Sequence, residues 1–332
     1  MLTYDLKVGY SCNNKCKHCV IADSNDKLIN NNINADLTTE ECLNLINENI
    51  NKGIDKIVLT GGEVTLRKDF DILLKKCNDN NLFITIQTNG RRLYKKFVLN
   101  SIKNIDNIKF VVALHGAKAK THDNITCIKG SFNETIKGIS AIININKIVI
   151  LKVVISKINA EELPYIVNVA NELGVKYICF AFPHGQGNAR KNFNDVIPKY
   201  SYLQPILEKI IENSKIYNIN IEFEAIPFCI IYKHMHLVGE LKYLKSSEIC
   251  SQVHEDIFDW NKIRHSIKSK GANCKKCALY SICEGPWSEY TDAFGFDELK
   301  PIIVSSLQKE RILNALHNIY AKGDLEIVNF NP

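Results

Sequence analysis

The chain has 332 residues, 45% hydrophobic and 23% charged, which is enough to bury one large core with or without a small appendage. Its formal net charge is +6. No block of like charges reaches five residues and no aromatic residues alternate with basic ones, so nucleic acid has little support as a partner. The most apolar stretch, residues 148–155, contains Lys152 and is far too short to span a bilayer, so we expect no membrane partner.

Twelve cysteines are the unusual feature of the composition. Residues 1–7 lack the charged segment followed by an apolar segment that marks a secretory signal, so we expect the chain in the cytoplasm. Thiols are kept reduced in that compartment. Clustered cysteines there indicate metal binding or catalysis rather than disulfides.

Up to about residue 230, short apolar runs alternate with helical patterns. Near-continuous apolar runs, typical of parallel strands covered on both faces, occur at 6–10, 56–59, 83–87, 109–114, 148–155 and 177–182. Helices are predicted at 38–51, which begins with a capping box of Thr38 and Glu41, and at 70–77, 93–102, 132–145 and 160–173, which Gly174 ends. Six such units favour a βα barrel or a doubly wound sheet, with the chemistry at the carboxyl ends of the strands.

The pattern changes after a helix at 202–213 and a strand at 219–225. From about residue 227 the chain is irregular and rich in cysteine until about residue 295, and then one helix at about 307–320 precedes a short tail. We therefore predict two units, residues 1–226 and residues 227–332.

A first cysteine triplet, Cys12-x3-Cys16-x2-Cys19, follows the first predicted strand. A structural zinc needs four ligands, and His18 lies too close to Cys19 to turn easily onto the same ion. An iron–sulfur cluster with one open iron suits three cysteines better. Zinc and unliganded thiols remain alternatives.

A second triplet, Cys274-x2-Cys277-x5-Cys283, lies in the irregular segment, with Cys229 and Cys250 upstream of it. Either upstream cysteine could supply a fourth ligand. On spacing alone a four-cysteine zinc site and an iron–sulfur cluster are nearly equal alternatives.

The remaining four cysteines are not predicted to be ligands of either site. Cys42 and Cys77 lie on apolar helix faces and Cys179 lies inside a strand, so all three are expected in the core. Cys127 lies in the loop region after the fourth strand, on the side of the strand ends.

The Cys12–Cys19 triplet resembles the signature of the radical S-adenosylmethionine (SAM) enzymes. In that family three cysteines hold a [4Fe–4S] cluster whose open iron binds SAM, and reductive cleavage of SAM yields a 5′-deoxyadenosyl radical that abstracts hydrogen from a C–H bond. The resemblance implies an α/β fold built as a partial (β/α)6 TIM-like barrel. It also implies a reductant such as flavodoxin or ferredoxin.

Three strand ends carry further matches to that family. Thr60-Gly61-Gly62-Glu63 is similar to the family's GGE motif, which holds the SAM amino group, and Thr88-Asn89-Gly90 and Leu114-His115-Gly116 end the next two strands. The resemblance thus implies a cofactor site formed by His18, Gly61, Gly62, Glu63, Thr88, Asn89 and His115. The loop at 183–188 ends the sixth strand, the last expected to line the SAM pocket.

The C-terminal cysteines resemble the auxiliary-cluster extensions called SPASM and twitch domains. That resemblance implies an auxiliary [4Fe–4S] cluster on Cys274, Cys277, Cys283 and a fourth ligand. Cys229 is favoured because Ile226-Pro227-Phe228-Cys229 follows a strand, is stiffened by proline and resembles an Ile-Pro-x-Cys element of related proteins. Cys250 is the alternative. Five cysteines in this module allow one auxiliary cluster at most.

The resemblance implies an oxidoreductase-type enzyme that modifies a C–H position of a ribosomally made peptide, by crosslinking or epimerisation. Cys12, Cys16 and Cys19 are the catalytic candidates, with Cys127 as a candidate hydrogen-atom donor. Because the triplet begins at residue 12, we expect the peptide to be read at the barrel mouth or delivered by another protein. The alternatives are small-molecule synthesis, such as a tetrapyrrole step, and a zinc-stabilised binding protein that is not an enzyme.

Overall fold

The computed structural model describes residues 2–321, and the short tail predicted after the last helix lies outside them. The strands are β1 Leu2–Lys7, β2 Lys56–Thr60, β3 Phe83–Thr88, β4 Ile108–Ala113, β5 Ile148–Val154, β6 Tyr177–Ala181, β7 Asn220–Glu224, β8 Ser247–Ser251 and β9 Phe258–Asp259. The helices are α1 Ala22–Asn30, α2 Thr39–Asn51, α3 Phe70–Asp79, α4 Lys96–Ile102, α5 Ala119–Thr126, α6 Ser131–Ile143, α7 Leu163–Leu173, α8 Asn188–Lys191, α9 Phe193–Val196, α10 Tyr200–Ile216, α11 Trp260–Ser266, α12 Ser288–Phe294 and α13 Ser306–Ala321.

The described strands form one open sheet in the order β7-β6-β5-β4-β3-β2-β1-β8-β9. Strands β1 to β8 pair in parallel, and β9 pairs antiparallel to β8. Crossover helices follow most of the first six strands, so the sheet curves as a partial TIM-like barrel. The predicted α/β fold class is confirmed.

Local sequence signals account for several element boundaries. Helix α2 begins at the predicted capping box, in which the Glu41 N–H donates to Thr38 Oγ1 and the Glu41 carboxylate accepts from the Thr38 N–H. Helix α7 ends at Gly174, which adopts the left-handed conformation with φ of 77°.

The first strand begins earlier than predicted. The expected run 6–10 is wrong because β1 occupies Leu2–Lys7 and the chain leaves the ladder after Lys7. Its sequence alternates buried Tyr4 and Leu6 with Asp5 and Lys7, so it carries a period of two rather than a continuous apolar run.

Six helices, α1, α5, α8, α9, α11 and α12, and two strands were not expected. Helices α1 and α5 lie in segments without a strong apolar period, and the segment predicted to be irregular contains β8 and β9 as well as α11 and α12. Strand β8 pairs with β1 along its whole length, from Leu2 opposite Ser247 to Leu6 opposite Ser251. The predicted boundary after residue 226 therefore divides strands that belong to one sheet.

The main core lies between the outer face of the sheet and the surrounding helices, where Phe70, Phe110 and Phe180 are fully buried. Cys42, Cys77 and Cys179 are buried as predicted. Within residues 2–321 we find no helix that is both long and apolar enough to cross a bilayer.

Candidate active site

The inner face of the sheet lines a cleft. In β2 the side chains of Ile57 and Leu59 are buried against the helices, whereas Val58 and Thr60 on the opposite face are partly exposed. Strands β4 to β6 repeat this pattern towards their carboxyl ends, where Ala181 is partly exposed. Parallel sheets are usually covered on both faces, so a partly exposed inner face indicates a space that a ligand can enter.

The first cysteine triplet lies on the loop between β1 and α1, at the carboxyl edge of the sheet. Cys12 is exposed, and Cys16 and Cys19 are partly exposed. Burial of the sulfur atoms raises the pKa of Cys12 to about 11 and raises the pKa of Cys16 and Cys19 as well. The three groups are therefore neutral thiols at pH 7, and metal binding must displace their protons.

Neighbouring loops hold this cysteine loop from two sides. The N–H groups of Lys15 and Lys17 donate to the carbonyls of Thr126 and Ile125, at the end of α5, over 3.0 and 2.9 Å. From the loop after β6, the Asn188 N–H donates to the Cys19 carbonyl (2.9 Å) and its side-chain amide donates to the Cys16 carbonyl (3.0 Å). The loop at 183–188, at the end of the last strand expected to line the SAM pocket, thus supports the cysteine loop.

The Gly61–Gly62 turn packs directly on the same loop. The Gly62 N–H donates to the Gly9 carbonyl (2.7 Å), and the Glu63 N–H donates to the Ser11 carbonyl (2.8 Å). A Cβ at Gly62 would lie 2.2 Å from the Ser11 carbonyl oxygen, and Gly61 has φ of 136°. Glycine is required here because the two backbones are in direct contact, whether or not a ligand is bound.

Glu63 joins this turn to the end of β3. Its carboxylate accepts hydrogen bonds from the Thr65 N–H (3.0 Å), the Thr88 hydroxyl (2.7 Å) and the Asn89 N–H (2.7 Å), and the residue is 3% exposed. The Asn89 side chain lies 3.8 Å from Cys12 Sγ. The structure therefore brings Glu63, Thr88 and Asn89 together beside the first cysteine.

Three histidines place their rings in a row that starts at His18, in the cysteine loop itself, with the first two rings edge to face and the last two stacked. The rings of His18 and His115 lie 4.4 Å apart, and those of His115 and His122 lie 5.9 Å apart. Burial lowers the pKa of His18 and of His122 to about 4 and holds that of His115 well below its usual value, so all three are neutral at pH 7. His115 Nδ1 accepts from the Val154 N–H (3.3 Å), and His122 Nδ1 accepts from the His115 N–H (3.1 Å).

Sequence reasoning did not place His122 in this row. Its neighbour Asp123 accepts hydrogen bonds from the N–H groups of Gly130 and Phe132 at the start of α6. The sequence signal that could have placed His122 in the row is its spacing of seven residues from His115, which lies just after β4, while His122 lies in α5.

Cys127 follows the last residue of α5 and adopts φ of 57°, a left-handed conformation that is uncommon outside glycine. Its side chain is exposed, and it lies near enough to Cys16 to contribute to the raised pKa of that thiol. The role of Cys127 as a hydrogen-atom donor stays a prediction.

The second cysteine triplet and Cys229 line one pocket in the C-terminal segment. The pocket encloses about 390 Å³, part of it open to solvent, and none of its lining residues belongs to a strand. Burial, together with the neighbouring Cys283, Cys274 and Cys277, raises the pKa of Cys229 to about 12. Cys250 lies elsewhere, in β8, where its thiol faces Glu248 and Asp5.

A buried ionic cluster adjoins this pocket. Glu284, next to Cys283, pairs with Arg264 and with Lys268 (2.7 Å), and Lys268 also pairs with Glu240 (2.9 Å). Glu240 in turn accepts from the Ala225 N–H (2.7 Å) just after β7. The side chains of Lys268 and Glu284 are only 3% and 5% exposed. These buried ion pairs therefore connect the pocket residues to the chain just after β7.

Sulfur spacing separates the two kinds of metal centre. A tetrahedral zinc with Zn–S bonds of about 2.3 Å needs sulfur atoms about 3.8 Å apart. Among the described residues, one set of three ligand atoms lies within 4.8 Å, that of Cys179, Glu222 and Glu224, and there the Lys152 ammonium already lies 3.1 Å from Cys179 Sγ and pairs with Glu224. In the part of the chain that the structure describes, neither cysteine set brings three sulfur atoms within 4.8 Å of one another, so neither is preorganised for a single tetrahedral zinc.

Comparison with known proteins identifies the class. The sequence profile of the Radical SAM superfamily matches residues 6–170, almost half of the chain. The chain therefore contains a radical SAM domain. The match favours an enzyme over a zinc-stabilised binding protein without enzymatic activity.

Particular relatives differ in the reactions their names describe. The chain is 28% identical over 190 residues to the AdoMet-dependent heme synthase of Methanosarcina barkeri, and this alignment covers 57% of this chain and 52% of that protein. It is 26% identical over 188 residues to the mycofactocin maturase MftC of Mycolicibacterium smegmatis, and that alignment covers 56% of this chain and 45% of MftC. The chain thus spans about half the length of these curated relatives.

The fold is shared with a solved structure over most of the chain. Streptococcus suis SuiB bound to its precursor peptide SuiA superposes with a TM-score of 0.64 at 17% identity, covering 92% of this chain and 75% of SuiB. At this identity the likeness establishes the fold alone.

Proposed function

We propose that this enzyme binds a [4Fe–4S] cluster through Cys12, Cys16 and Cys19, cleaves SAM reductively and modifies a C–H position of a ribosomally made peptide. The observation that carries the proposal is that the cysteine loop, the Gly61–Glu63 turn and the Thr88–Asn89 strand end meet through direct hydrogen bonds at one edge of the sheet. The cluster and SAM, when bound, supply a 5′-deoxyadenosyl radical.

The chain's own residues then hold and orient these groups. The three thiols lose their protons on binding iron, and the loops that support them keep their positions through backbone hydrogen bonds. We assign SAM binding to the residues around Cys12, namely His18, Gly61, Gly62, Glu63, Thr88, Asn89 and His115. The neutral state of the two histidines adds no positive charge that would repel the sulfonium group of SAM.

The C-terminal pocket is proposed to hold an auxiliary [4Fe–4S] cluster on Cys229, Cys274, Cys277 and Cys283. All four line the same pocket, and the sequence resembles the SPASM and twitch extensions. Four cysteine ligands satisfy every iron of a cubane cluster, so such a centre would hold electrons without binding SAM. Cys250 is not included because it faces Asp5 and Glu248 in the sheet.

A peptide substrate is supported by two of the similar proteins. MftC is named a maturase, and SuiB was solved with its precursor peptide. The second candidate is a small-molecule reaction, such as a step of tetrapyrrole synthesis. The similarity to the heme synthase over 57% of this chain favours it.

The first experiment tests the radical chemistry itself. After anaerobic purification in a reducing buffer, we expect a brown protein with absorbance near 400 nm that converts SAM into 5′-deoxyadenosine when dithionite is added. A colourless protein that binds zinc and leaves SAM intact would contradict the proposal.

The second experiment separates peptide from small molecule. The enzyme is co-expressed with short open reading frames that neighbour its gene, in ordinary water and in deuterium oxide, and each peptide is analysed by mass spectrometry. A crosslink removes two hydrogen atoms, and epimerisation in deuterium oxide adds one deuterium. Peptides unchanged in both media would favour the small-molecule candidate.

A further inference from the structure

The mouth of the C-terminal cysteine pocket is surrounded by lysines. Lys275 and Lys276 lie between two of the cysteines on a short 3-10 helix, Ala272–Lys276, and both are exposed. Lys270 and Lys300 line the pocket itself. We call Lys270, Lys275, Lys276 and Lys300 the lysine collar.

Apolar side chains lie inside and beside the collar. Tyr280 lines the pocket and is 40% exposed, and the Lys270 ammonium lies 4.2 Å from the centre of its ring. Phe296, against Gly271, is also 40% exposed, and Ile303 is 73% exposed beside Ile302, whose N–H contacts Cys277. A small apolar centre with a charged rim is the usual composition of a protein docking surface.

We propose that the lysine collar docks an acidic one-electron carrier protein of the ferredoxin or flavodoxin type. The inference rests on the proposed function, because reductive cleavage of SAM takes one electron from outside the chain: the carrier is oxidised by one electron and the enzyme is reduced by one. Such complexes are transient and small, and complementary charge gives them speed and orientation.

A second basic surface lies near the first cysteine triplet, where Lys15 and Lys17 flank Cys16 and Lys118 is exposed nearby. Lys17 donates to Asn124 Oδ1 (2.9 Å). That surface also adjoins the cleft that SAM and substrate must enter. In the collar Lys270 likewise donates to the carbonyls of Tyr280 and Cys283 (2.9 Å each), whereas Lys275, Lys276 and Lys300 are exposed. The collar belongs to a pocket that shares no lining residue with the first cysteine loop.

The test measures binding of oxidised flavodoxin to the anaerobic full-length protein by calorimetry, at low and at physiological ionic strength. We expect the double substitution Lys275→Glu and Lys276→Glu to weaken the Kd about tenfold or more at low salt, with a smaller effect at high salt because salt screens the charges. The matched control is Lys95→Glu with Lys96→Glu, an adjacent exposed pair at the start of α4, which should change the Kd less than about twofold.

Three outcomes overturn the docking proposal: no binding by the wild type, equal weakening by the control pair, or weakening by Lys15→Glu with Lys118→Glu in place of the collar pair. Dithionite-driven cleavage of SAM by the wild type is measured in parallel. If that cleavage occurs and the collar variant binds normally, the docking proposal fails alone. If that cleavage is absent, the proposed function fails.

Discussion

The two cysteine sites are held by different forces. Backbone hydrogen bonds from α5, the β6 loop and the Gly61–Gly62 turn hold the first loop, with further hydrogen bonds from the Ser11 N–H to Asp36 and from Arg91 to the Asn14 side chain. The second pocket adjoins the buried charges of Arg264, Lys268 and Glu284. The first site should therefore not tolerate an added Cβ at Gly62, and the second should respond strongly to the loss of one buried charge.

The largest expected effect is on the cleavage of SAM, which should depend on the first cysteine site and not on the second. Cys16→Ala should reduce dithionite-driven formation of 5′-deoxyadenosine by more than about 100-fold, since even an outer-shell change at a metal site can cost that much. Cys277→Ala should retain this cleavage, because the second pocket shares no residue with the first loop. Both are measured by chromatography of the products. Equal loss in the two variants would show that the sites do not act separately.

The second prediction concerns the fourth ligand of the C-terminal pocket. Cys229→Ala should lose about four irons per chain, the content of one cubane cluster, whereas Cys250→Ala should keep its full iron content. Cys250 is the matched control because it is a buried cysteine of the same segment that faces the sheet. Iron is determined by a colorimetric assay. Loss of iron from Cys250→Ala alone would reverse the assignment.

The third prediction concerns the buried charges. Glu284→Gln leaves Arg264 and Lys268 without their shared carboxylate, and removal of one partner from a buried ion pair costs about 3–5 kcal/mol. We expect that loss in the free energy of unfolding of the apoprotein in urea. Glu310→Gln, at an exposed position of α13, is the control. A loss of less than about 1 kcal/mol for Glu284→Gln would mean that the cluster does not support the pocket.

The fourth prediction concerns the first site. Glu63→Gln replaces a carboxylate oxygen by an NH2 group, which cannot accept the hydrogen bonds of Thr65, Thr88 or Asn89 at that atom. The expected cost is about 1–3 kcal/mol, smaller than for Glu284 because neutral donors are left unpaired. Urea unfolding measures it, with Glu40→Gln on the exposed first turn of α2 as control. Equal stability of the two variants would contradict this role of Glu63.

The smallest effect is expected away from both sites. Thr38→Ala removes the cap of α2 and should cost about 1 kcal/mol while leaving iron content unchanged. Hydrogen bonds from Thr38 lower the pKa of Glu41, so the stability that Glu41 contributes is present above its unfolded pKa and is lost as the pH falls through its folded pKa.

Urea unfolding at pH 7 and in acid checks this sign. The difference between wild type and Thr38→Ala should shrink in acid, with Thr38→Ser close to wild type throughout. A difference that grows in acid would contradict the assigned cap.

Much of the barrel was predictable because its strands are apolar runs and its helices carry local caps. The first triplet and the Gly-Gly-Glu turn were recognisable because each is a short motif whose residues lie close together in the sequence. The choice between Cys229 and Cys250 was not decided by spacing, because both lie within the same irregular segment and only the packed pocket separates them.

What the sequence did not predict depends on distant parts of the chain. The five residues of β8, Ser247–Ser251, carry no apolar run, and they form a strand because β1 offers a free edge. The partners of the Glu63 carboxylate lie up to 26 residues away and include a backbone N–H, which no sequence pattern reveals. The row of three histidine rings likewise needs the folded loops of β1 and β4 together.

The pairing of β1 with β8 has a consequence during synthesis. The hydroxyls of Tyr4 and Ser251 meet over 2.9 Å although 247 positions separate them. On the ribosome, the first strand to emerge must wait with one edge unpaired until nearly the whole sheet has been made, and ribosomes add only about 5–20 residues per second. Its polar inner residues, Asp5 and Lys7, are the kind of charged side chains that discourage such an edge from pairing with another nascent chain.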